Sequence, residues 1–239
     1  MTRSMTDTAQ ASAPLSVVIP ALNSAADLPA TLRALEEGKA AGLLREAVIA
    51  DGGSDDATAT VVASLGARVV TAPRGRGPQL IAGAAATTGE WLLFLHADSR
   101  LPPGWSEHAA AFMAEPANRE RAAAFRLALD DPDPRARRIE RLAGWRARRL
   151  GLPYGDQGLL IARAFYEQLG GFRPLVLMED VDLVRRIGKQ RLVLLEGRVT
   201  TSAERYRRGG WLGRPLRNLT ILAGYYLGVP TSLLRRYYE

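Results

Sequence analysis

The order of apolar runs and turns constrains this chain more than any other feature. Four short runs, 15–19 (LSVVI), 47–50 (AVIA), 67–71 (ARVVT) and 90–95 (EWLLFL), are separated by stretches that read as helix, with Leu28, Leu32 and Leu35 on one face of the first. Runs that are mostly apolar rather than alternating suit strands buried on both faces. Polar punctuation follows them: Pro20-Ala21-Leu22-Asn23 after the first, Asp51-Gly52-Gly53-Ser54-Asp55-Asp56 after the second, His96-Ala97-Asp98 after the fourth. Such alternation predicts an α/β, Rossmann-like fold, a mostly parallel sheet flanked by helices, with its ligand at the carboxyl edge.

Past Pro102 the pattern changes. An alanine-rich helix runs to Met113, 122–129 reads as a strand, 135–149 is dense in arginine, 154–161 reads as strand or turn, a helix begins near Met178, and 192–195 is a last buried strand. No repeat or low-complexity linker divides the chain. The reading is one domain over 15–210, preceded by a polar leader, 1–14, expected to be disordered, and followed by a helical, aromatic and basic extension, 211–239.

With no cysteine, disulfides, thiolate metal sites and a cysteine nucleophile are excluded. The net charge of +7 predicts affinity for phosphates without choosing among nucleotides, nucleic acids and anionic membranes. Residues 1–14 lack the apolar core of a secretory signal, and 219–229 is shorter than the roughly 18 to 20 residues that span a bilayer. A cytoplasmic protein is the expectation.

Three carboxylates stand where chemistry would need them. Asp51 leaves a strand into two glycines, which lets a ligand approach the backbone; read alone, it serves equally as an Asx turn, with Ser54 or Asp55 capping the next helix. Asp98 lies just past a strongly apolar strand, where a carboxylate can hold a hard cation against a diphosphate. His96, on the same side of an extended segment, reads as a second ligand, a hydrogen-bond donor to a nucleotide, or a turn histidine. Glu179-Asp180 opens a helix, either as helix-start carboxylates or with one of them a general base.

Taken in order, LSVVIPALN, ADGGSDDAT, GRGPQLIAG, LFLHADS, GDQG and MEDVDL resemble the inverting family 2 glycosyltransferases of GT-A fold. The nearest likeness is a small bacterial subgroup with His-Ala-Asp in place of Asp-x-Asp, and it extends over roughly 15–210. The resemblance implies a nucleotide-sugar donor, with Pro20, Ala21 and Asn23 bordering the nucleotide and Asp51 on its base or ribose. It further implies donor contacts at Arg76 and Gln79, and Mn2+ or Mg2+ on Asp98 with His96 beside it. Gly155, Asp156 and Gln157 would line the sugar and acceptor side, and Asp180 would be the catalytic base with Glu179 as its neighbour. Three departures leave donor identity and the closing loop open: Ser24 where an acid is usual, Ile81 where Asn is common, and Arg205-Tyr206 where a basic residue precedes Trp.

The acceptor side is less defined. The stretch 135–149 joins seven arginines to Ile139, Leu142 and Trp145, and the C-terminal part sets Trp211, Tyr225, Tyr226, Tyr237 and Tyr238 among arginines. That composition suits peripheral contact with the inner face of an anionic membrane and a lipid-linked acceptor, a polyprenoid or carotenoid-type acid among them. It equally suits a helix packed on the core or on a second copy in a homodimer. A nucleotidyltransferase would carry a glycine-rich basic loop after its first strand, and no P-loop is present. A nucleic-acid-binding module would show a reading motif along its basic face, and none is found, so nucleic acid is not an expected partner.

Overall fold

The computed structural model describes residues 13–238. Residues 1–12 of the expected leader therefore lie outside the described residues. Ala13 is buried and the Pro14 carbonyl accepts the Trp91 N–H at 3.0 Å, so the sheet is engaged just ahead of Leu15.

The first half alternates strictly: β1 (Leu15–Ala21), α1 (Leu28–Ala40), β2 (Leu44–Asp51), α2 (Thr58–Ser64), β3 (Arg68–Thr71), α3 (Arg76–Ala86) and β4 (Trp91–Phe94). The second half continues with β5 (Ser99–Arg100), α4 (Trp105–Ala114), β6 (Ala122–Leu129), α5 (Pro134–Leu150), β7 (Leu159–Ala162) and α6 (Arg163–Gln168). It ends with α7 (Glu179–Ile187), β8 (Leu192–Thr201), α8 (Glu204–Gly209) and a pair of packed helices, α9 (Gly213–Tyr226) and α10 (Thr231–Tyr238). A single eight-stranded sheet results, in the order β3-β2-β1-β4-β7-β6-β8-β5. The first four strands are mutually parallel, β7 runs antiparallel to β4 and β6, and β8 lies parallel to β6. The expected mostly parallel sheet flanked by helices, of GT-A type, is what forms.

Register explains why three loops meet. Ala21 lies opposite Asp51, and Asp51 opposite Thr71, so β1, β2 and β3 end level. Phe94 pairs with Val18, so β4 stops three residues short and the chain continuing past it brings His96-Ala97-Asp98 level with the end of β1. That segment is a turn closed by Ser99 N–H to the His96 carbonyl at 3.1 Å, not the extended stretch expected, and Thr31 Oγ1 fastens it through the Ala97 carbonyl at 2.7 Å. The cap of α2 also differs from expectation. Asp56 Oδ1 accepts the Thr58 N–H at 2.9 Å, because Ser54 is already bonded to Asp51.

Gln79 holds the strand ends together. It is buried, and its amide donates to the carbonyls of Ala21 at 2.5 Å and Ala50 at 2.9 Å, bridging the ends of β1 and β2 where the Ala21 carbonyl also accepts the Gly52 N–H at 3.0 Å. Two residues earlier, Gly77 packs so tightly that a Cβ there would lie 2.6 Å from the Arg173 carbonyl and 2.7 Å from that of Leu175. Both obstacles are backbone, so Gly77→Ala is expected to cost about 1–3 kcal/mol as an overpacking change. Urea denaturation measures this; an unchanged midpoint would show that the facing loop yields freely.

Candidate active site

Two cavities open at the carboxyl edge and share a wall. The larger, about 540 Å³, runs along Pro20, Ala21, Arg74, Arg76 and Gln79 to His96, Asp98 and Glu179. The smaller, about 90 Å³, lies between His96, Asp98, Tyr154, Gly155, Asp156 and Asp180 and is walled by Arg205, Arg214 and Asn218. Arg76, His96, Asp98 and Arg205 belong to both.

Residues distant in sequence converge on Gly155. Its N–H donates to Asp180 Oδ2 at 2.8 Å, while a Cβ at this position would lie 2.6 Å from His96 Nε2 and 3.4 Å from Asp180 Oδ2. The imidazole occupies the place of a side chain, so glycine at 155 lets His96 close on the backbone beside the bond to Asp180. Asp180 Oδ1 takes the Val181 N–H at 2.7 Å, so the carboxylate is fixed at both oxygens while the residue remains half-buried at the cavity.

The local electrostatics are polarised. Burial, with the charges of Arg76 and Arg205 adding, holds the His96 imidazole well below its usual range and therefore neutral. Asp156 is pushed up by burial, against Arg146 and with Asp180 and Asp98 adding, and its Oδ1 is buried without a hydrogen-bond partner. Glu179 is pushed up to about 7 by burial, against Arg76 and with Asp180 adding. Its Oε1 lies 3.4 Å from Arg76 Nη1 and forms no hydrogen bond. Glu179 thus turns to Arg76 beside the larger cavity, and Asp180, the next residue, turns to the smaller one.

Three expected site residues do not line the cavities. Asp51 accepts from the Ser54 N–H at 3.1 Å and from the Ser54 hydroxyl, the Asx-turn arrangement. Asn23 is exposed and ties the loop after β1 to the loop after β2, accepting the Asp55 N–H at 2.9 Å and donating its own N–H to Ser54 Oγ at 2.8 Å. Gln157 is fully buried, donating to the Phe125 carbonyl at 2.9 Å and accepting from Tyr154 N–H and Arg146, each at 3.3 Å. In each case the polar group is engaged by neighbouring backbone and side-chain partners and lies outside the walls of the two cavities.

Other residues enter unannounced. Tyr154 lines the smaller cavity with Arg146 stacked 3.3 Å from its ring centroid, and Met178 adopts a left-handed φ of 66° immediately before Glu179. Arg214 and Asn218 come from α9, which folds back over α7: Tyr225 Oη donates to Asp182 Oδ1 at 3.2 Å, and Ile221 and Leu222 pack with Val181 and Val184. The tyrosine beside the Gly-Asp-Gln-Gly turn was a readable signal; nothing in the local sequence marks Met178 or Arg214.

Carboxylates, a neutral histidine and arginines are thus gathered at the carboxyl edge of the GT-A sheet. The model of glycosyl transferase family 2 matches residues 16–163, and the chain belongs to that family. An uncharacterized glycosyltransferase of Mycobacterium tuberculosis and another of Mycobacterium bovis are 38% identical to it over 91 residues, 38% of this chain; the match spans 39% of the length of those relatives. Glucosyl-3-phosphoglycerate synthase from Mycobacterium tuberculosis is similar in fold. Its structure with Mn2+, uridine diphosphate and glucosyl-3-phosphoglycerate superposes with a TM-score of 0.59 at 21% identity, covering 84% of this chain and 78% of that one. Its structure with Mn2+, UDP-glucose and phosphoglyceric acid superposes with a TM-score of 0.58 at 22% identity, covering 82% and 74%.

The buried Glu179 makes stability depend on pH. Its pKa is raised on folding, so the stabilising preference for the protonated form is complete below the unfolded value of 4.5 and is lost as pH rises through about 7. Glu179→Gln removes this dependence. Relative to the parent, the variant is expected to gain stability between those pH values, by up to about 1.4 kcal/mol per unit, and to level off above. Denaturation curves at pH 4, 6 and 8 check this.

Proposed function

We propose that this chain is a metal-dependent inverting glycosyltransferase that moves a sugar from a nucleotide-sugar donor to a hydroxyl or carboxyl acceptor. The observation that carries the reading is the junction of the two cavities, where Asp98 and His96 lie on one side of Gly155 and Asp180 is bonded to it. The larger cavity takes the nucleoside diphosphate along the ends of β1 and α3, with Arg76 against its phosphates. The smaller takes the acceptor.

Among the described residues no three acidic or histidine side chains converge to hold a metal by themselves. The donor set fits a cation that completes its shell with diphosphate and water, because Asp98 supplies a hard oxygen, His96 is neutral, and the orphaned Asp156 Oδ1 adds uncompensated negative polarity. Asp98 and His96 would hold it. When bound, the metal supplies charge neutralisation at the departing diphosphate. Histidine beside carboxylate favours Mn2+ over Mg2+. The Mn2+ and UDP-glucose in the solved relative support Mn2+ and a uridine-diphosphate sugar here.

The chain's own groups do the rest. Asp180, held by two backbone N–H groups, receives the proton of the acceptor as the acceptor oxygen bonds to the anomeric carbon from the face opposite the breaking bond to diphosphate. The configuration inverts. Arg76 and Arg205 offset charge on the leaving group, and Glu179 holds Arg76 in place through their ion pair.

A panel of nucleotide sugars with Mn2+ or Mg2+, read by thermal shift and hydrolysis, is expected to single out one donor. Asp180→Asn should lower transfer at least about a hundredfold while the nucleotide-induced thermal shift survives. Asp98→Asn should remove the metal dependence of that shift. Full transfer by Asp180→Asn would overturn the role of base.

A further inference from the structure

The C-terminal helices α9 and α10 have two working faces, and the catalytic site uses only one. Facing inward, Arg214 and Asn218 wall the smaller cavity while Ile221, Leu222 and Leu234 join the hydrophobic cluster on α7. Facing outward, Leu212, Leu216, Leu219 and Tyr226 recur at intervals of three, four and seven residues, a single stripe along α9. The three leucines are between 61% and 86% exposed; Leu227 just past the helix is 84% exposed, and Leu233 and Tyr237 on α10 are exposed as well. An outward helix face normally turns polar, and this one does not.

Charge sharpens the point. Residues 205–238 contain seven arginines and no acidic residue, which equals the net charge of +7 of the whole chain; the remaining 25 cationic residues balance the 25 acidic ones. Of these arginines Arg205, Arg214 and Arg235 line the cavities and Arg207 and Arg208 pair with Asp131 and Glu204, while Arg208, still 82% exposed, and Arg217 and Arg236 lie at the surface. The basic stretch in α5 contributes less than expected, because Ile139 is buried and Arg135 and Arg137 pair with Asp133 and Glu140, although Leu142 and Trp145 are exposed.

We propose that the outer face of α9 and α10 docks on an anionic lipid bilayer. Apolar side chains at the centre with arginines around them match an interface of acyl chains beneath anionic headgroups. A helix of 14 residues, about 21 Å long, lies in that plane, and no helix among the described residues is long and apolar enough to cross a membrane. A second copy of this chain fits less well, since an isologous pairing would set one positively charged segment against another. Docking brings the wall of the smaller cavity to the headgroup level, where a lipid-linked acceptor resides. The docking surface itself does not depend on the proposed chemistry.

The test is flotation of the full chain with phosphatidylcholine vesicles with and without 30% phosphatidylglycerol, at low and high salt. Binding to the anionic vesicles only, weakened at high salt and lowered roughly tenfold or more by Leu216→Ser with Leu219→Ser, is the expected result. Leu212→Ser is the second variant, and the UDP–Mn2+ thermal shift reports separately on the fold and donor site. No flotation with anionic vesicles, equal flotation of parent and both variants, or a vesicle-independent dimer that the substitutions dissolve would overturn the proposal.

Discussion

Glu179 is a carboxylate taken almost entirely out of water, and its partner across 3.4 Å is Arg76. An ion pair of this kind gains little net stability, because desolvation offsets most of the attraction, yet breaking it leaves a buried charge unpaired. Its value is positional. Arg76 begins α3 at the larger cavity and Glu179 begins α7, so the pair sets the distance between the carboxyl edge of the sheet and the helix that carries Asp180. Asp180 follows by one residue, about 100° around the helix, and so faces the smaller cavity while Glu179 faces the arginine. Met178, in a left-handed conformation that costs a non-glycine residue about 1–2 kcal/mol, turns the chain so that both carboxylates project from the same helix start.

Behind that start, Asp182 gathers the supporting structure. It is buried, and it accepts from Arg186 at 2.6 and 2.9 Å, from Arg173 at 3.2 Å and from the Tyr225 hydroxyl at 3.2 Å. Arg186 in turn holds the carbonyls of Leu169 and Gly171. One side chain therefore ties α7 to the loop after α6 and to α9. The Met-Glu-Asp-Val-Asp-Leu run carries three acids in three settings: Glu179 pairs with an arginine, Asp180 faces the smaller cavity, and Asp182 ties α7 to α9. α9 is thereby tied directly to the helix that carries Asp180.

The fold was largely legible because strand burial and strand order leave local marks. Uniformly apolar runs ending in Gly, Pro and Asp turns located β1 to β4, and the small residues of 122–129 located β6. The site was legible in part. His96, Asp98, Gly155, Asp156 and Asp180 meet at one cavity, but Asp51, Asn23 and Gln157 are consumed by their own turns and neighbouring carbonyls. A polar residue at a strand end reads the same in sequence whether it faces a ligand or satisfies the backbone, and buried backbone groups take precedence because leaving them unpaired is costly.

The sequence by itself determined which segments become strands and helices and which residue types stand at the sheet's carboxyl edge, since periodicity, turn chemistry and carboxylate placement are properties of neighbours along the chain. Tertiary structure alone decided which of those polar groups remain available, why residue 155 must be glycine, and that a helix far along the chain supplies Arg214 and Asn218 to the cavity. These depend on segments from 25 to more than 100 residues apart, Gly155 bonded to Asp180 and His96 sharing a cavity with Arg214. Burial, close approach and electrostatic shifts exist only once such segments share a wall.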